Sequence, residues 1–219
     1  MQLKMVNHRR NRNRQAGFTL TELLVATTLG LVLLANVGSF HRFQLFALRN
    51  QATQLQIQTD ARNFADLFAR EVRRAGMNPT CAGGISGIVE ASSSLLHFRA
   101  DLNGNGAIDA TDEDVTYRYN VDANTVQRTA NGVTDTLLSG TNLSGSRVRY
   151  FNAANAELVP ASTGLSAAQR AAVVRVRLEL AMAGNTIDPQ NSSNLRAQVA
   201  SDVDLRNRFF IASMPCPSP

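Results

Sequence analysis

From Phe18 to Phe40 the chain runs 23 residues with one charged side chain, Glu22. A helix rising about 1.5 Å per residue crosses the ~30 Å core of a bilayer over that length. A lone carboxylate near the head of such a helix is costly in lipid and favours a partner charge. Ahead of the run stand Lys4, Arg9, Arg10, Arg12 and Arg14, with no acid among residues 1–17. This basic leader reads as positive-inside targeting. It also accounts for the basic bias of the whole chain. The 22 Lys and Arg exceed the 17 Asp and Glu by five, the number in the leader, so the remainder is formally neutral. The isoelectric point near 10.0 is therefore weak support for nucleic-acid binding.

The helical pattern continues beyond Phe40. Ile57, Ala61, Phe64, Phe68 and Val72 recur at three- and four-residue spacing and form an apolar stripe. Arg62–Asp66 and Asp66–Arg70 stand four apart on the other side. Gly76 and Pro79 mark the end. The expected helix, about residues 18–74, is roughly 85 Å long. It divides into a membrane half, 18–40, and an amphipathic half that with its end reaches residue 76.

From residue 77 the composition changes to short β-type runs separated by Gly, Asn, Ser and Asp. Strands are expected near 87–90, 95–99, 115–120, 125–128, 134–138 and 147–151, with a turn at Asp122–Asn124. Residues 173–182 alternate cleanly: Val174, Val176, Leu178, Leu180 and Met182 face one way, Arg175, Arg177 and Glu179 the other. A helical turn is expected at 166–171, a polar loop at 184–194 and a last strand at 205–211. With no Trp and few aromatics, the core is expected to be mainly aliphatic.

The stretch Arg14-Gln-Ala-Gly17-Phe18-Thr19-Leu20-Thr-Glu22-Leu-Leu-Val25 resembles the type III signal of type IV prepilins and type II secretion pseudopilins. The resemblance implies that a membrane peptidase cuts after Gly17 and N-methylates Phe18. A cleavable secretory signal would instead place its cut after a shorter apolar stretch. Here the cut precedes the run, and the helix stays on the mature protein. Glu22 is then implied to pair with the N-terminal amine of a neighbouring subunit during assembly. The family plan is α+β, a long N-terminal helix packed on a mostly antiparallel β-sheet domain. That divides the chain into leader 1–17, membrane half 18–40, amphipathic half 41–76 and an exported β-rich domain 77–219. Within the family, Arg73-Arg74-Ala75-Gly76, Val115–Tyr119 and Leu205-Arg206-Asn207-Arg208 resemble the PilW and pseudopilin J group.

The sharpest internal motif is Asp101-Leu-Asn103-Gly-Asn105-Gly106-Ala107-Ile-Asp109-Ala-Thr-Asp112. It matches the EF-hand loop, with oxygens at positions 1, 3, 5, 7, 9 and 12 and glycine at 6. Asp101, Asn103, Asn105 and Asp112 are expected to ligate Ca2+ through side chains. Ala107 is expected to offer its carbonyl, and Asp109 to bind directly or through water. The flanks are expected strands, so the picture is a metal-tied hairpin. The competing reading is an Asx-rich turn that binds nothing.

Catalytic patterns are missing. His8, His41 and His97 accompany no nucleophile elbow, phosphate loop or zinc spacing, and the protein is not expected to be an enzyme. Arg147, Arg149, Arg175 and Arg177 alternate along strands and could make a DNA-binding stripe; solvated outer faces are the plainer reading. Cys81 and Cys216 lack CxxC spacing. In an exported, oxidising setting they suit one bridge; two free buried thiols are the alternative. The resemblance implies a structural subunit, a PilW-like minor pilin in an initiating or tip complex, with pseudopilin J or a tip adhesin or DNA-binding pilin as alternatives. Implied partners are other minor and major pilins, prepilin peptidase and the inner membrane, which the protein crosses once with its N-terminus cytoplasmic before it enters a periplasmic or cell-surface pilus.

Overall fold

The computed structural model describes residues 17–81, 85–120, 122–139, 143–188 and 193–205. The chain divides into two compact units, one ending at Leu48 and one from Arg49 onward. Helix α1 (Leu20–Val72) contributes residues to both. Its N-terminal half is exposed and is long and apolar enough to cross a membrane. In the second unit the expected stripe is the buried one: Ile57, Ala61, Phe64, Phe68 and Val72 all lie in the core, joined by Ala65 and Glu71. The last turn tightens through Arg74 N–H to Glu71 C=O (3.0 Å) and Ala75 N–H to Val72 C=O (3.0 Å). Gly76 follows with φ +79°, the left-handed residue that commonly ends a helix.

The strands form two antiparallel sheets. The first is a meander of β1 (Ile88–Ala91), β2 (Leu95–Arg99), β3 (Asp114–Asn120), β4 (Thr125–Ala130) and β5 (Val133–Leu138) in that spatial order. β4 and β5 are joined by Asn131 (φ +50°) and Gly132 (φ +74°), the pair of positive angles that a two-residue hairpin turn demands. The second sheet contains β6 (Arg147–Phe151), β7 (Glu157–Leu158), β8 (Arg175–Asp188) and β9 (Ser193–Asp204), ordered β7-β6-β8-β9. A short helix, α2 (Ala167–Ala172), opens with a capping box between Ser166 and Gln169.

The turn after β1 ties the sheets together. Tyr119 and Val148 donate backbone N–H to the carbonyls of Ser94 (2.8 Å) and Ser93 (3.0 Å), and the Tyr150 hydroxyl donates to Ser92 C=O at 2.8 Å. Gly164 has φ +91°, and a Cβ there would stand 2.7 Å from the Ala91 oxygen, so only glycine fits beside β1. Where α1 meets the first sheet the core is more aromatic than expected. Phe68 lies 5.2 Å from Tyr117 between ring centroids, and Phe64 packs edge-on against Tyr117 (5.9 Å) and Tyr119 (6.1 Å).

The C-terminal expectations change in part. The polar loop at 184–194 is cut short at both ends: β8 continues to Asp188 and β9 begins at Ser193. Among the described residues the last strand is β9, ending at Asp204, short of the expected strand at 205–211. Leu205 already lies beyond it, and 206–211 fall outside the described residues. β9 escapes a sequence reading because two of its inward-facing positions are the small residues Ala197 and Ser201. Its pairing with β8, from Arg175↔Asp204 to Asp188↔Ser193, supplies the order that hydrophobicity does not.

Candidate functional site

At the N-terminal end, Gly17 and Phe18 are exposed and precede the helix. A Cβ on Gly17 would meet nothing within 4 Å, so the fold itself places no demand for glycine there. The first turn of α1 is closed reciprocally. Thr19 Oγ1 accepts from Glu22 N–H (3.3 Å), while Glu22 Oε2 accepts from Thr19 N–H (2.9 Å) and from the Thr19 hydroxyl (2.9 Å). This is a capping box, and Glu22 thus has a local role in starting the helix. The Thr-x-x-Glu spacing was its visible signal.

The Asp101–Asp112 loop joins β2 to β3, whose pairing runs from Leu95↔Arg118 to Arg99↔Asp114. The hairpin expectation holds. Asp101 is fully buried and accepts N–H groups from Gly104 (2.7 Å), Asn105 (3.2 Å) and Gly106 (2.9 Å). Asn103 Oδ1 accepts from Asn105 N–H and Asn105 Oδ1 from Ala107 N–H. These successive Asx turns bring alternate side chains together, and both asparagine amides donate to the Asp109 carboxylate at 3.0–3.2 Å.

Asp112 does not join them. It has φ +69° and its carboxylate accepts from Arg128 Nη2 on β4. The acid that closes the loop is Glu113, one residue past the pattern and fully buried. Glu113 Oε1 accepts from the N–H groups of Leu102 (2.8 Å) and Asn103 (3.1 Å), and Oε2 from those of Asp109 (2.9 Å) and Ala110 (2.8 Å). Burial pushes its pKa up, but the four backbone donors outweigh burial and hold it below the usual carboxylate value. As a calcium cradle the loop fits in part. Asn103, Asn105 and Asp109 converge; Asp112 is turned to a guanidinium; Asp101 and Glu113 are satisfied by backbone amides. Among the described residues, no three His, Cys, Asp or Glu side chains are grouped as metal ligands.

A second charged cluster was not foreseen. Glu71, in the last turn of α1, is 6% exposed. The Tyr117 hydroxyl donates to its Oε2 (2.5 Å), and Arg128 forks onto it through Nε (3.0 Å) and Nη2 (2.9 Å). Burial, reinforced by the Glu71 carboxylate, raises the Tyr117 pKa far above the usual phenol value. Burial opposes the Arg128 charge, and the Glu71 and Asp112 carboxylates more than offset it. The sequence clue was an acid three residues from Phe68 on the apolar stripe.

The alternating arginines of the second sheet are not a bare cationic stripe. Arg149 forks onto Glu157 (2.8 and 2.5 Å) and also reaches Glu179 (2.8 Å). Arg147 pairs with Glu179 and Arg177 with Asp202. The guanidinium groups of Arg149, Arg175 and Arg177 lie 4.5–5.6 Å from the Phe151 ring centroid. The charge is spent within the sheet, which favours the solvated-face reading over a phosphate-binding one. His97 is likewise engaged, its Nε2 standing 2.5 Å from Asp114. Cys81 lies in the described segment just after α1 with φ +57°; Cys216 lies outside the described residues.

Comparison with known families gives two matches. The model described as "Prokaryotic N-terminal methylation motif" matches residues 12–35, the segment holding Gly17, Phe18 and Glu22. The model described as "Prepilin peptidase-dependent protein B" matches residues 50–201, which cover the docked half of α1 and nearly all of both sheets. No curated protein matches the chain.

Proposed function

Because the chain belongs to the prepilin peptidase-dependent protein B family, we propose that it is a minor pilin of the PilW kind, a structural subunit of the complex that initiates or tips a type IV pilus. The observation that carries this reading is the prepilin-type segment itself. A basic leader ends at a glycine the fold does not require, and an apolar, capped and exposed helix follows it at once. Prepilin peptidase removes residues 1–17, and the new terminus at Phe18 is N-methylated. Before assembly the helix sits in the inner membrane with its N-terminus cytoplasmic and the β-rich unit in the periplasm. During assembly the apolar half exchanges lipid for the helices of other pilins, and Glu22 exchanges its cap for the terminal amine of a neighbour. A bridge between Cys81 and Cys216 ties the end of the stem to the C-terminal tail.

Glu22→Ala tests the assembly step. The substitution removes a cap contact worth about 1 kcal/mol, too little to prevent insertion of a helix this apolar. Membrane extraction should be normal, while the amount recovered in sheared fibres should fall sharply. Wild-type recovery in fibres contradicts an assembly role for the carboxylate.

We also propose that the 101–112 loop takes one Ca2+, supported by the convergence of Asn103, Asn105 and Asp109. These residues, with the Ala107 carbonyl and Asp101, would hold the ion, which supplies a positive centre for their oxygens. Asp112 can join only by leaving Arg128. A hundredfold excess of calcium over Kd should stabilise the folded protein by about 2.7 kcal/mol. An unchanged melting temperature in millimolar calcium reduces the motif to a polar turn.

A further inference from the structure

The buried cluster at the end of α1 shares a single donor with the loop. Arg128 Nη2 serves Glu71 Oε1 and Asp112 Oδ1 together. We infer that Arg128 is a clasp coupling the 101–113 loop to the end of the stem helix, so that each is held in place by the state of the other. The device is independent of whether the loop takes a cation.

Three features carry it. Arg128 is largely buried, with its side chain 13% exposed against 8% for that of Glu71, so the pair works where solvent screens little. A guanidinium is a rigid planar fork; once Nε and Nη2 are fixed on Glu71, the direction left for Asp112 is fixed as well. Asp112 stands at the exit of the loop with a left-handed backbone, a conformation that an L residue holds only against a steric cost. Its side chain then ends on Arg128, and the next residue is Glu113, the acid around which the loop amides gather. Displacing Asp112 therefore displaces the anchor of the loop.

A second tether returns to the same place. Asp101 N–H donates to Met77 C=O (2.8 Å), and Gly76 N–H to Arg99 C=O (2.8 Å). Loop and helix exit are joined on one side by backbone and on the other by charge. Two carboxylates share one guanidinium, so loss of Arg128 leaves both acids without their common partner. The mechanical consequence falls on the seam between stem and sheet. Any event that recruits Asp112, including capture of a cation by the loop, changes how firmly Glu71 and the last turn of α1 are held.

Hydrogen exchange on the full mature chain in detergent micelles tests the clasp. Asp112→Asn removes the charge while keeping a residue that tolerates the left-handed backbone. It should speed exchange of the α1 amides near residues 68–74 about tenfold, a factor within the range of coupling between residues of one ionic network. Glu71→Gln should speed the loop amides of Leu102–Ala110 by a similar factor. In an Arg128→Lys background, where a single ammonium replaces the fork, neither change should alter the distant element further. Protection in β6 and in β8 at Val176–Leu180 should stay constant throughout. Effects confined to the mutated element, or the same distant effects with Lys at 128, overturn the inference. A uniform rise that includes β6 and β8 overturns it too, because the coupling is local.

Discussion

Phe68→Ala should destabilise the second unit by about 3–5 kcal/mol, the usual loss for deleting a fully enclosed aromatic side chain. Phe68 is 0% exposed. Its ring touches Phe64 on α1 and Tyr117 on β3, so the cavity would open at the seam between stem helix and sheet, where backbone on both sides resists collapse. Against a typical total of 5–15 kcal/mol, the loss is a large fraction of stability. Thermal melting of detergent-solubilised protein should show a much lower midpoint. A loss under about 1 kcal/mol would mean that the seam does not hold the helix.

Glu113→Gln should cost about 3 kcal/mol, although only one oxygen is exchanged for NH2. Each carboxylate oxygen accepts two backbone N–H groups. The amide keeps one acceptor and turns its own N–H donors toward the other pair. Two buried donors lose their partner, at about 1–3 kcal/mol each. The loss should be of similar size in calcium and in chelator, because the contacts are to backbone. Glu113→Gln melting like wild type would show that the loop closes without this carboxylate.

The stem was legible because its information is local. Period 3.6 placed Ile57, Ala61, Phe64, Phe68 and Val72 on one face, and the core contains all five. Strands with alternating large and polar residues, such as 173–182, were legible for the same reason. What the pattern could not carry was pairing. Division into two sheets depends on contacts such as Tyr119 with Ser94 and Val148 with Ser93, which no neighbouring residues announce. β9 has small inward residues and became a strand because β8 offered it a ladder.

The charged sites were legible only in part, for a related reason. Alternation put Arg147, Arg149, Arg175 and Arg177 on one face correctly, but Glu157 and Asp202, which neutralise part of it, arrive from β7 and β9. Counting to position twelve of the loop pattern reaches Asp112, but not the neighbouring acid. Glu113 gathers the loop amides, while Asp112 meets Arg128 from a different strand. Glu71 was hidden because an acid on an apolar stripe makes sense only once Tyr117 and Arg128 are placed above it.

The proposed minor-pilin role rests on how the N-terminus is made, and the mass of that terminus is the most direct measurement. Protein extracted from membranes of a host with an active prepilin peptidase should yield an N-terminal peptide that starts at Phe18 and carries one added methyl group, with residues 1–17 absent. Gly17→Val should leave the precursor uncut, although the fold leaves open space at that position. An intact leader on the wild-type protein, or a cut beyond Phe40 that removes the apolar run, would contradict the account.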